Sequence, residues 1–430
     1  MLAVSAVLFA HSLNAATSYD EGVYLASLDA LRHGQHLGSD VFASQPPGFY
    51  VLLRVLAAPA GRSVEGIRVA FLIVALVGVA AAYLVGRRFA GLPGGLAASA
   101  LVVAAPPFAA QAPRVAADAP SIALALCALA VAAWGLERGR IVAPAAAGAL
   151  AAAAILVKLL ALPVLVPLAV LAWRRRIGLR SAVALAGGAV VVAAALAIAY
   201  AGVLGDLWRD AVTFHRQSRS VETQSAGSRI VDYFSLRTPT TWVFAVGAVA
   251  AVVFRRQLVL WTFVAAAVVF LLLQVPLLDH HFVLLAAALG LAAGASLVSG
   301  PGRLVAAGLA VALVGAAAGW IQDYRQIGRS SAPEPAEVRA AAAEVKRLTG
   351  PDELVASDLP IVPFLADRRL PGDLVDTSAV RFASGSLTSN DVRTAPVRVY
   401  VVGREFERFL RPNDRLKLVR RLGSITILRR

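Results

Sequence analysis

The sequence predicts a polytopic α-helical membrane protein that ends in a small α/β domain. The first observation is composition: 59% of the 430 residues are hydrophobic, 16% are charged, and the mean hydropathy is +0.72. Soluble domains are about half apolar and about a quarter charged. The second observation is that long apolar runs recur through the first three-quarters of the chain, as expected of membrane-spanning helices. The third is a change to a soluble composition from about Ser330 onward.

The positive charge of the chain follows the turns between its apolar runs. The formal net charge is +15, of which residues 331–430 carry +4, from 17 Lys and Arg against 13 Asp and Glu. The rest lies largely in short connections, which is the pattern of cytoplasmic loops and not of a nucleic-acid-binding surface. We therefore expect no nucleic-acid partner. The single cysteine, Cys127, cannot form an internal disulfide and gives no information about compartment.

About 11 transmembrane helices are predicted from the apolar runs. Their bounds are roughly 2–16, 66–86, 92–112, 118–136, 141–157, 159–173, 181–203, 240–254, 257–276, 282–299 and 303–320. Arginines fall in every second connection, at Arg87 and Arg88, Arg138 and Arg140, Arg174–Arg176 with Arg180, Arg255 and Arg256, and Arg303. Because Lys- and Arg-rich loops stay in the cytoplasm, the other connections and the C-terminal domain are predicted to face outward.

Two outward connections are long, and a separate domain follows the last predicted span. We expect a transmembrane domain over 1–325 with long outer loops at 17–65 and 205–240, and an α/β domain over 331–430. Long loops are uncommon unless they are functional or disordered. In the last domain, PEPAEVRAAAAEVKRLTG is typical of a helix, and ELVAS, VRVYVVG and SITILRR are typical of short strands. It has no G-x-G-x-x-G or P-loop motif, so no nucleotide site is predicted.

The first outer loop opens with two adjacent acids, Asp20 and Glu21. Ser18 and Glu21 fit the capping box S-x-x-E, in which each side chain binds the backbone N–H of the other residue. Glu21 therefore either only caps the helix or also takes part in chemistry. Asp20 is not needed by the capping box. A helix N-terminus stabilises its anionic form and lowers its pKa, so Asp20 either complements the helix dipole or serves a site.

The residues after this acid pair are patterned as a helix. Tyr24, Leu28 and Leu31 share one helical face, and Gly34 is a natural helix terminator. We expect an amphipathic helix that lies on the membrane surface.

An ionisable residue, Lys158, separates the fifth and sixth predicted spans. Such a residue is a functional-site hypothesis by default; the alternative is that its amine reaches lipid headgroups at the surface. In APRVAADAPS, Arg114 precedes Asp118 by four residues at the outer ends of the third and fourth spans. Asp118 either caps the next helix, which Pro120 would favour, or takes part in a site.

Two adjacent histidines, His280 and His281, occur in LLDHHF at the outer end of the ninth span. Neighbouring residues of a helix point to different faces, so a shared metal ion is not predicted, and ordinary interfacial polar residues are the alternative. HExxH, GxSxG and cysteine clusters do not occur in the sequence. No cofactor is predicted from these residues, and a divalent metal ion stays open.

Four features together resemble those of the GT-C glycosyltransferases. They are the outward Asp-Glu pair after the first span, the Pro-Pro-aromatic stretch in FASQPPGFY, the R-x-x-x-D-A-P motif after the third span, and the lysine between the fifth and sixth spans. The layout of the whole chain, including an outer C-terminal domain, resembles the branch of the protein O-mannosyltransferases and of the aminoarabinose transferases that modify lipid A.

This resemblance implies an inverting glycosyltransferase of the plasma or inner membrane. The enzyme would move a sugar from a polyprenyl-phosphate donor to a hydroxyl of a glycan, lipid or protein at the outer face. The resemblance makes Asp20 the catalytic carboxylate, with Glu21 beside it, and Lys158 and Arg114 the expected cations for the phosphate. The predicted substrate-binding residues are Lys158, Arg114, Asp118, His281, His280, Arg216 and Gln45.

The sequence departs from the family pattern at one position and leaves two other functions open. Several relatives have a lysine just before Pro-Pro, where this chain has Ser44 and Gln45, so part of phosphate binding is expected elsewhere. A lipid or solute transporter or flippase is the main alternative, although transporters favour internal repeats and midplane ionisable residues, and no repeat is evident. A lipid-binding scaffold would keep Lys158 but would not need Asp20.

Overall fold

The computed structural model describes residues 6, 9–10, 12–136, 141–217, 225–234, 239–254, 257–330, 332–412 and 415–430. Its helices of ten or more residues are α1 Tyr19–Arg32, α2 Pro47–Ala57, α3 Val64–Val103, α4 Asp118–Gly135, α5 Val142–Val157, α6 Leu165–Arg174, α7 Leu179–Ala199, α8 Pro239–Phe254, α9 Leu258–Leu273, α10 Val283–Leu297, α11 Gly302–Ser330 and α12 Ala336–Leu348. Shorter helices and helical turns are Pro106–Gln111, Leu159–Val164, Ala201–Val203, Leu204–Trp208, Arg209–Thr213, Phe214–Gln217, Ala226–Tyr233, Asp279–Phe282, Ile361–Leu365, Gly372–Leu374, Ala379–Ser384, Ser389–Thr394 and Phe406–Arg408. The strands are β1 Val355–Ser357, β2 Val399–Val402, β3 Lys417–Leu422 and β4 Ile425–Arg429.

The apolar helices follow the predicted spans from residue 66 onward. By length and composition, the described segments long and apolar enough to cross a membrane are Val64–Val103, Asp118–Gly135, Leu179–Ala199, Asp279–Leu297 and Gly302–Gln322. Shorter apolar segments are Pro47–Ala57, Val142–Val157, Leu159–Arg174, Pro239–Phe254 and Leu258–Leu273. The predicted span 2–16 falls largely on residues outside the described part of the chain.

Helix α3 contains two of the predicted spans, joined at a kink. Ala90 and Gly91 have non-helical backbone angles, and the φ of Gly91 is +69°, where glycine carries no steric penalty. The second of these spans was expected to run over 92–112, and that length is wrong. The helix ends at Val103, and a new short helix begins at Pro106, because proline offers no backbone N–H and cannot continue the first helix.

The chain divides into two compact units. The helical unit contains Met1–Leu13, Val55–Ala199 and Gln224–Arg329. The α/β unit contains Asn14–Arg54, Tyr200–Thr223 and Ser330–Arg430. The α/β unit therefore combines the C-terminal residues with most of the first long loop and part of the second.

Small residues allow α3 and α10 of the helical unit to pack closely. A Cβ atom on Gly294 would lie 2.5 Å from the backbone N of Ala98, and one on Gly290 would lie 2.8 Å from that of Val102. Both distances are too short for any side chain, so glycine is required at both positions. Such small-residue contacts are a common way for membrane helices to pack.

The α/β unit contains a four-stranded sheet with the strand order β1-β2-β4-β3. Strands β1 and β2 are parallel, and β4 is antiparallel to both β2 and β3. The helix and three strands predicted here are confirmed as α12, β1, β2 and β4. Strand β3 was missed because it is an exposed, arginine-rich edge strand whose alternation is interrupted by a register shift between Leu418 and Arg420.

Helix α1 begins and ends where the sequence predicts, but it lacks the predicted exposed polar face. It begins after the N-cap Ser18, and Gly34 follows it with a φ of +85°. All residues from Glu21 to Leu31 are buried. The packing is so close that a Cβ on Gly22 would lie 3.1 Å from a backbone N of the short helix Ile361–Leu365. A helix lying on a membrane would keep a polar face in water, so the membrane-surface prediction is wrong.

Candidate functional site

The acid pair of the α/β unit lies in the first turn of α1, and its two members have different surroundings. Glu21 is completely buried and closes the predicted capping box. Its Oε2 accepts the backbone N–H of Ser18 at 3.1 Å, and its own N–H donates to Ser18 Oγ at 3.3 Å. The capping prediction is therefore confirmed for Glu21. Asp20 is exposed, so only its carboxylate is accessible to a solute.

Tyr19 fixes the first turn of α1 from within the α/β unit. Its hydroxyl donates to Asp376 Oδ1 at 3.1 Å and accepts the backbone N–H of Thr377 at 2.7 Å. Burial, followed by the Asp376 carboxylate, raises the pKa of Tyr19 well above its ordinary value. The phenol therefore remains protonated at neutral pH and keeps its donor role. Because Asp20 is the next residue, these bonds determine where its backbone lies.

Further hydrogen bonds hold the chain just before α1. The backbone N–H of Thr17 donates to Glu334 Oε2 at 2.8 Å, and that of Ala16 donates to the carbonyl oxygen of Ala332 at 2.8 Å. The Thr377 hydroxyl, in turn, donates to the carbonyl oxygen of Ser357 in β1 at 3.2 Å. The C-terminal part of the chain therefore supports the segment that carries Asp20. Sequence reasoning did not identify Tyr19, Glu334 or Thr377, because their partners lie more than 300 residues away.

Two other predicted residues lie in the α/β unit. Gln45, at the position where several relatives have lysine, is 8% exposed and precedes α2. Arg216 is exposed in the short helix Phe214–Gln217. The neutral amide of Gln45 is therefore buried, and the guanidinium of Arg216 is accessible.

A buried ion pair joins two of the predicted residues in the helical unit. Lys158 Nζ lies 2.7 Å from Asp118 Oδ1, and their side chains are 9% and 4% exposed. Lys158 interrupts the helical path between α5 and the turn Leu159–Val164, with φ −156° and ψ 131°. Asp118 is the first residue of α4.

This pairing excludes two interpretations that the sequence left open. The N-cap position of α4 belongs to Ala117, so the interpretation of Asp118 as the N-cap is wrong. The ammonium of Lys158 is buried against a carboxylate, so the interpretation in which it extends to lipid headgroups is also wrong. A charge in apolar surroundings is tolerated when it is paired and hydrogen-bonded. Lys158 and Asp118 therefore supply each other's counter-charge. A phosphate-binding role for Lys158 remains a prediction.

The remaining candidates of the helical unit are Arg114, His280 and His281. Arg114 is partly buried, and its Nε donates to the carbonyl oxygen of Ala110 at 3.2 Å. His281 is 6% exposed, and its Nδ1 accepts the backbone N–H of Leu278 at 3.1 Å. The two imidazole rings are edge-to-face with their centroids 4.4 Å apart. Among the described residues, no group of three or more His, Cys, Asp or Glu side chains is arranged to hold a metal ion.

Comparison with known proteins identifies the fold. Residues 44–200 match the family model described as dolichyl-phosphate-mannose-protein mannosyltransferase. The structure resembles ArnT from Cupriavidus metallidurans bound to undecaprenyl phosphate, with a TM-score of 0.74 and 16% identity over 99% of this chain and 96% of that one. The apo form of the same protein gives a TM-score of 0.75, with the same identity and coverage. No curated protein matches the chain in sequence.

A second protein of known structure supports the same fold. The archaeal oligosaccharyltransferase AglB from Archaeoglobus fulgidus, in complex with an inhibitory peptide and a dolichol-phosphate, has a TM-score of 0.57 and 13% identity. The match covers 94% of this chain and 69% of that one. The chain therefore has the GT-C fold, and its predicted resemblance to the GT-C glycosyltransferases is confirmed.

We predict that the buried ion pair stabilises the protein only as a pair. Lys158→Met should lower the free energy of unfolding by about 3–5 kcal/mol, because it leaves the Asp118 carboxylate buried without a counter-charge. The double variant Lys158→Met, Asp118→Leu should recover most of this loss. The measurement is the thermal unfolding midpoint of the purified protein in detergent.

An exposed ion pair supplies the control for this experiment. Arg421 and Glu407 are about two-thirds exposed, with 3.9 Å between their charged atoms, so Arg421→Met should change stability by less than about 1 kcal/mol. A double variant as unstable as Lys158→Met would contradict the pairing argument.

We also predict that Tyr19→Phe loosens the first turn of α1. The change removes one hydroxyl and leaves the buried N–H of Thr377 without its acceptor, which costs about 1–3 kcal/mol. Hydrogen exchange should become faster at the amides of Thr377 and Glu21, and the thermal midpoint should fall. Tyr83→Phe, in the helical unit, serves as the control, and unchanged exchange at Thr377 in Tyr19→Phe would show that the Tyr19 hydroxyl does not hold this turn.

Proposed function

We propose that this protein is an inverting glycosyltransferase that moves a sugar from a polyprenyl-phosphate donor to an acceptor hydroxyl at the outer face of the cell membrane. The observation that carries the proposal is the likeness of fold to ArnT bound to undecaprenyl phosphate over 99% of this chain. The family-model match over 44–200 supports it. A second relative of the same fold was also solved with a lipid phosphate, a dolichol-phosphate.

Asp20 is the catalytic residue in this proposal. It orients the acceptor hydroxyl and takes its proton, while the acceptor oxygen forms a bond to the anomeric carbon from the face opposite the phosphate. The bond between that carbon and the phosphate oxygen breaks, and the phosphate leaves with the electron pair, which inverts the anomeric configuration. General-base assistance of this kind contributes roughly 10²–10⁴-fold. The exposure of Asp20 and the anchoring of Tyr19 support the assignment.

Lys158 and Arg114 are the proposed cations for the departing phosphate. Stabilising negative charge that develops in the transition state is often the largest single contribution to catalysis. A lysine ammonium has three donors, and Asp118 accepts one from Lys158. A phosphate oxygen would accept a second N–H of the Lys158 ammonium while the ion pair with Asp118 stays formed. Arg114 is only partly buried and carries a permanent charge.

We predict that the two acids of α1 differ in their importance for transfer. Asp20→Asn keeps the size of the side chain but removes its charge and its ability to accept a proton. It should reduce transfer by about 10²-fold or more while the protein remains folded. Glu21→Gln should keep substantial activity, because glutamine can still close the capping box with Ser18.

The measurement is complementation of a strain that lacks the gene. Envelope glycans, lipids and glycoproteins are compared by mass spectrometry in the strains with wild-type, Asp20→Asn and Glu21→Gln protein. An inactive Glu21→Gln with an active Asp20→Asn would reverse the assignment of the two acids. Normal transfer in both variants would remove Asp20 from the mechanism and with it the main support for this site.

The outward orientation of the loops and of the C-terminal domain is tested by cysteine labelling. Gly205 and Gly178 are matched positions, because a Cβ at either would meet open space. Cysteines at Gly205 and Asn390 should react with a membrane-impermeant maleimide in intact cells, and a cysteine at Gly178, beside the arginine-rich turn after α6, should react only after lysis. The wild-type protein, with its partly buried Cys127, gives the background. If only the Gly178→Cys protein were labelled in intact cells, the topology would be the opposite of the one proposed.

A further inference from the structure

The α/β unit contains a cavity of about 490 Å³, and its lining does not include Asp20, Lys158 or Arg114 of the proposed reaction. This volume lies within the range of roughly 300–1,000 Å³ of small-molecule sites. Its walls come from the loop after α1, the turn Arg209–Thr213 with the helix after it, and the segment around Ala379–Ser384. All three belong to one compact unit.

One wall of the cavity is held by Arg381, which is 2% exposed. Its Nη1 donates to the carbonyl oxygens of Asp373 and Asp376, and its Nη2 donates to the carboxylate of Asp373 and the carbonyl oxygen of Ser386. Its Cζ lies 3.8 Å from the ring centre of Phe42. The guanidinium therefore directs its donors into the protein. It shapes the cavity and offers little to an anionic ligand.

The charged lining of the cavity contains three carboxylates and two guanidinium groups. The carboxylates of Asp40, Asp210 and Asp373 line it, against the cations of Arg209 and Arg381. Asp210 is 4% exposed, and its Oδ2 accepts the backbone N–H of Ala43. The Arg209 guanidinium is engaged by Asp206 at 2.8 Å and by Asp210 at 3.4 Å. A ligand here must supply donors, and a phosphate or carboxylate would meet a net negative wall.

The cavity also has an aromatic part. Phe42 and Phe214 contribute to its lining with the small part of each ring that is exposed, 6% and 5%, and their rings are edge-to-face with their centroids 5.4 Å apart. Neutral sugars combine hydroxyl donors with an apolar C–H surface and carry no charge. This combination matches carboxylates placed beside aromatic rings better than a fatty acyl chain or a phosphate does.

We propose that this cavity binds a neutral saccharide, namely a glycan part of the acceptor. The acceptor assignment rests on the proposed glycosyl transfer, but saccharide binding itself does not. The acceptor of the reaction then belongs to the class of glycans or glycolipids. The donor phosphate is disfavoured in the cavity, because three carboxylates oppose two guanidinium groups there.

The test is direct binding by saturation-transfer NMR to the full-length protein in a sugar-free amphiphile. The probes are the methyl α-glycosides of mannose, glucose and galactose, with mannose 6-phosphate and n-butylammonium as charged comparisons. At least one neutral glycoside should bind saturably, and mannose 6-phosphate should bind at least tenfold more weakly at low salt. Binding of n-butylammonium without any glycoside, equal binding of the phosphate, or no binding of any glycoside would each overturn the proposal.

Two variants locate the binding. Ser39 is exposed and lines the cavity, so Ser39→Trp should occupy it and weaken the glycoside about tenfold or more. Asp40→Ala is a milder change that removes one acceptor and should weaken binding by a smaller factor if Ser39→Trp does not fold. Asn390→Trp places the same indole at an exposed position outside the cavity and should leave binding unchanged. Equal binding in wild type, Ser39→Trp and Asp40→Ala would place the sugar elsewhere and overturn the proposal.

The saccharide-binding proposal can fail or succeed independently of the proposed glycosyl transfer. A glycoside that binds the cavity of an Asp20→Asn protein, in a strain whose glycans remain normal, would keep the saccharide site and reject the catalytic assignment. Loss of transfer in Asp20→Asn, together with no glycoside binding, would support the proposed glycosyltransferase function and reject the saccharide site in the cavity.

Discussion

The ion pair between Lys158 and Asp118 is the interaction on which the arrangement of α4 and α5 depends. Neither charge could remain in apolar surroundings alone, because an unpaired buried ion costs several kcal/mol. The lysine lies where the backbone leaves the helical path after α5, and the acid lies at the first residue of α4. Their 2.7 Å contact therefore fixes the end of one helix against the start of another. It also keeps a cation in the helical unit without an uncompensated charge.

In the α/β unit the corresponding constraint is the anchoring of the first turn of α1. Tyr19 bonds to Asp376 and Thr377, and Thr17 bonds to Glu334. These bonds connect the residues beside Asp20 to the part of the chain that forms the sheet. A catalytic carboxylate must be held close to its productive geometry, and small displacements reduce catalysis strongly. The C-terminal residues therefore hold the backbone beside Asp20 in place, as the proposed catalytic role of this carboxylate requires.

Local patterns predicted much of this fold, and long-range pairing supplied the rest. The capping box, the glycine after α1, the apolar spans and strands β1, β2 and β4 each depend on residues a few positions apart, which a sequence displays directly. The partner of Lys158 lies 40 residues away and that of Tyr19 lies 357 away, and no local spacing indicates them. The surface position of α1 was wrong for a related reason. Ser27 on its polar side bonds to the carbonyl oxygen of Val23, so this side can be buried.

Burial distinguishes the surroundings of the two adjacent acids of α1. Glu21 accepts the N–H of Ser18, and none of its surface is exposed. A substrate could reach its carboxylate only by displacing that bond and opening the first turn of α1. Asp20 lies one residue earlier, on an exposed side of the same turn, where the helix N-terminus favours its anion. An anion favoured in this way is a weak base, so in the proposed mechanism Asp20 would contribute more by orienting a hydroxyl than by removing its proton. That role requires a fixed backbone, which the bonds of Tyr19 provide.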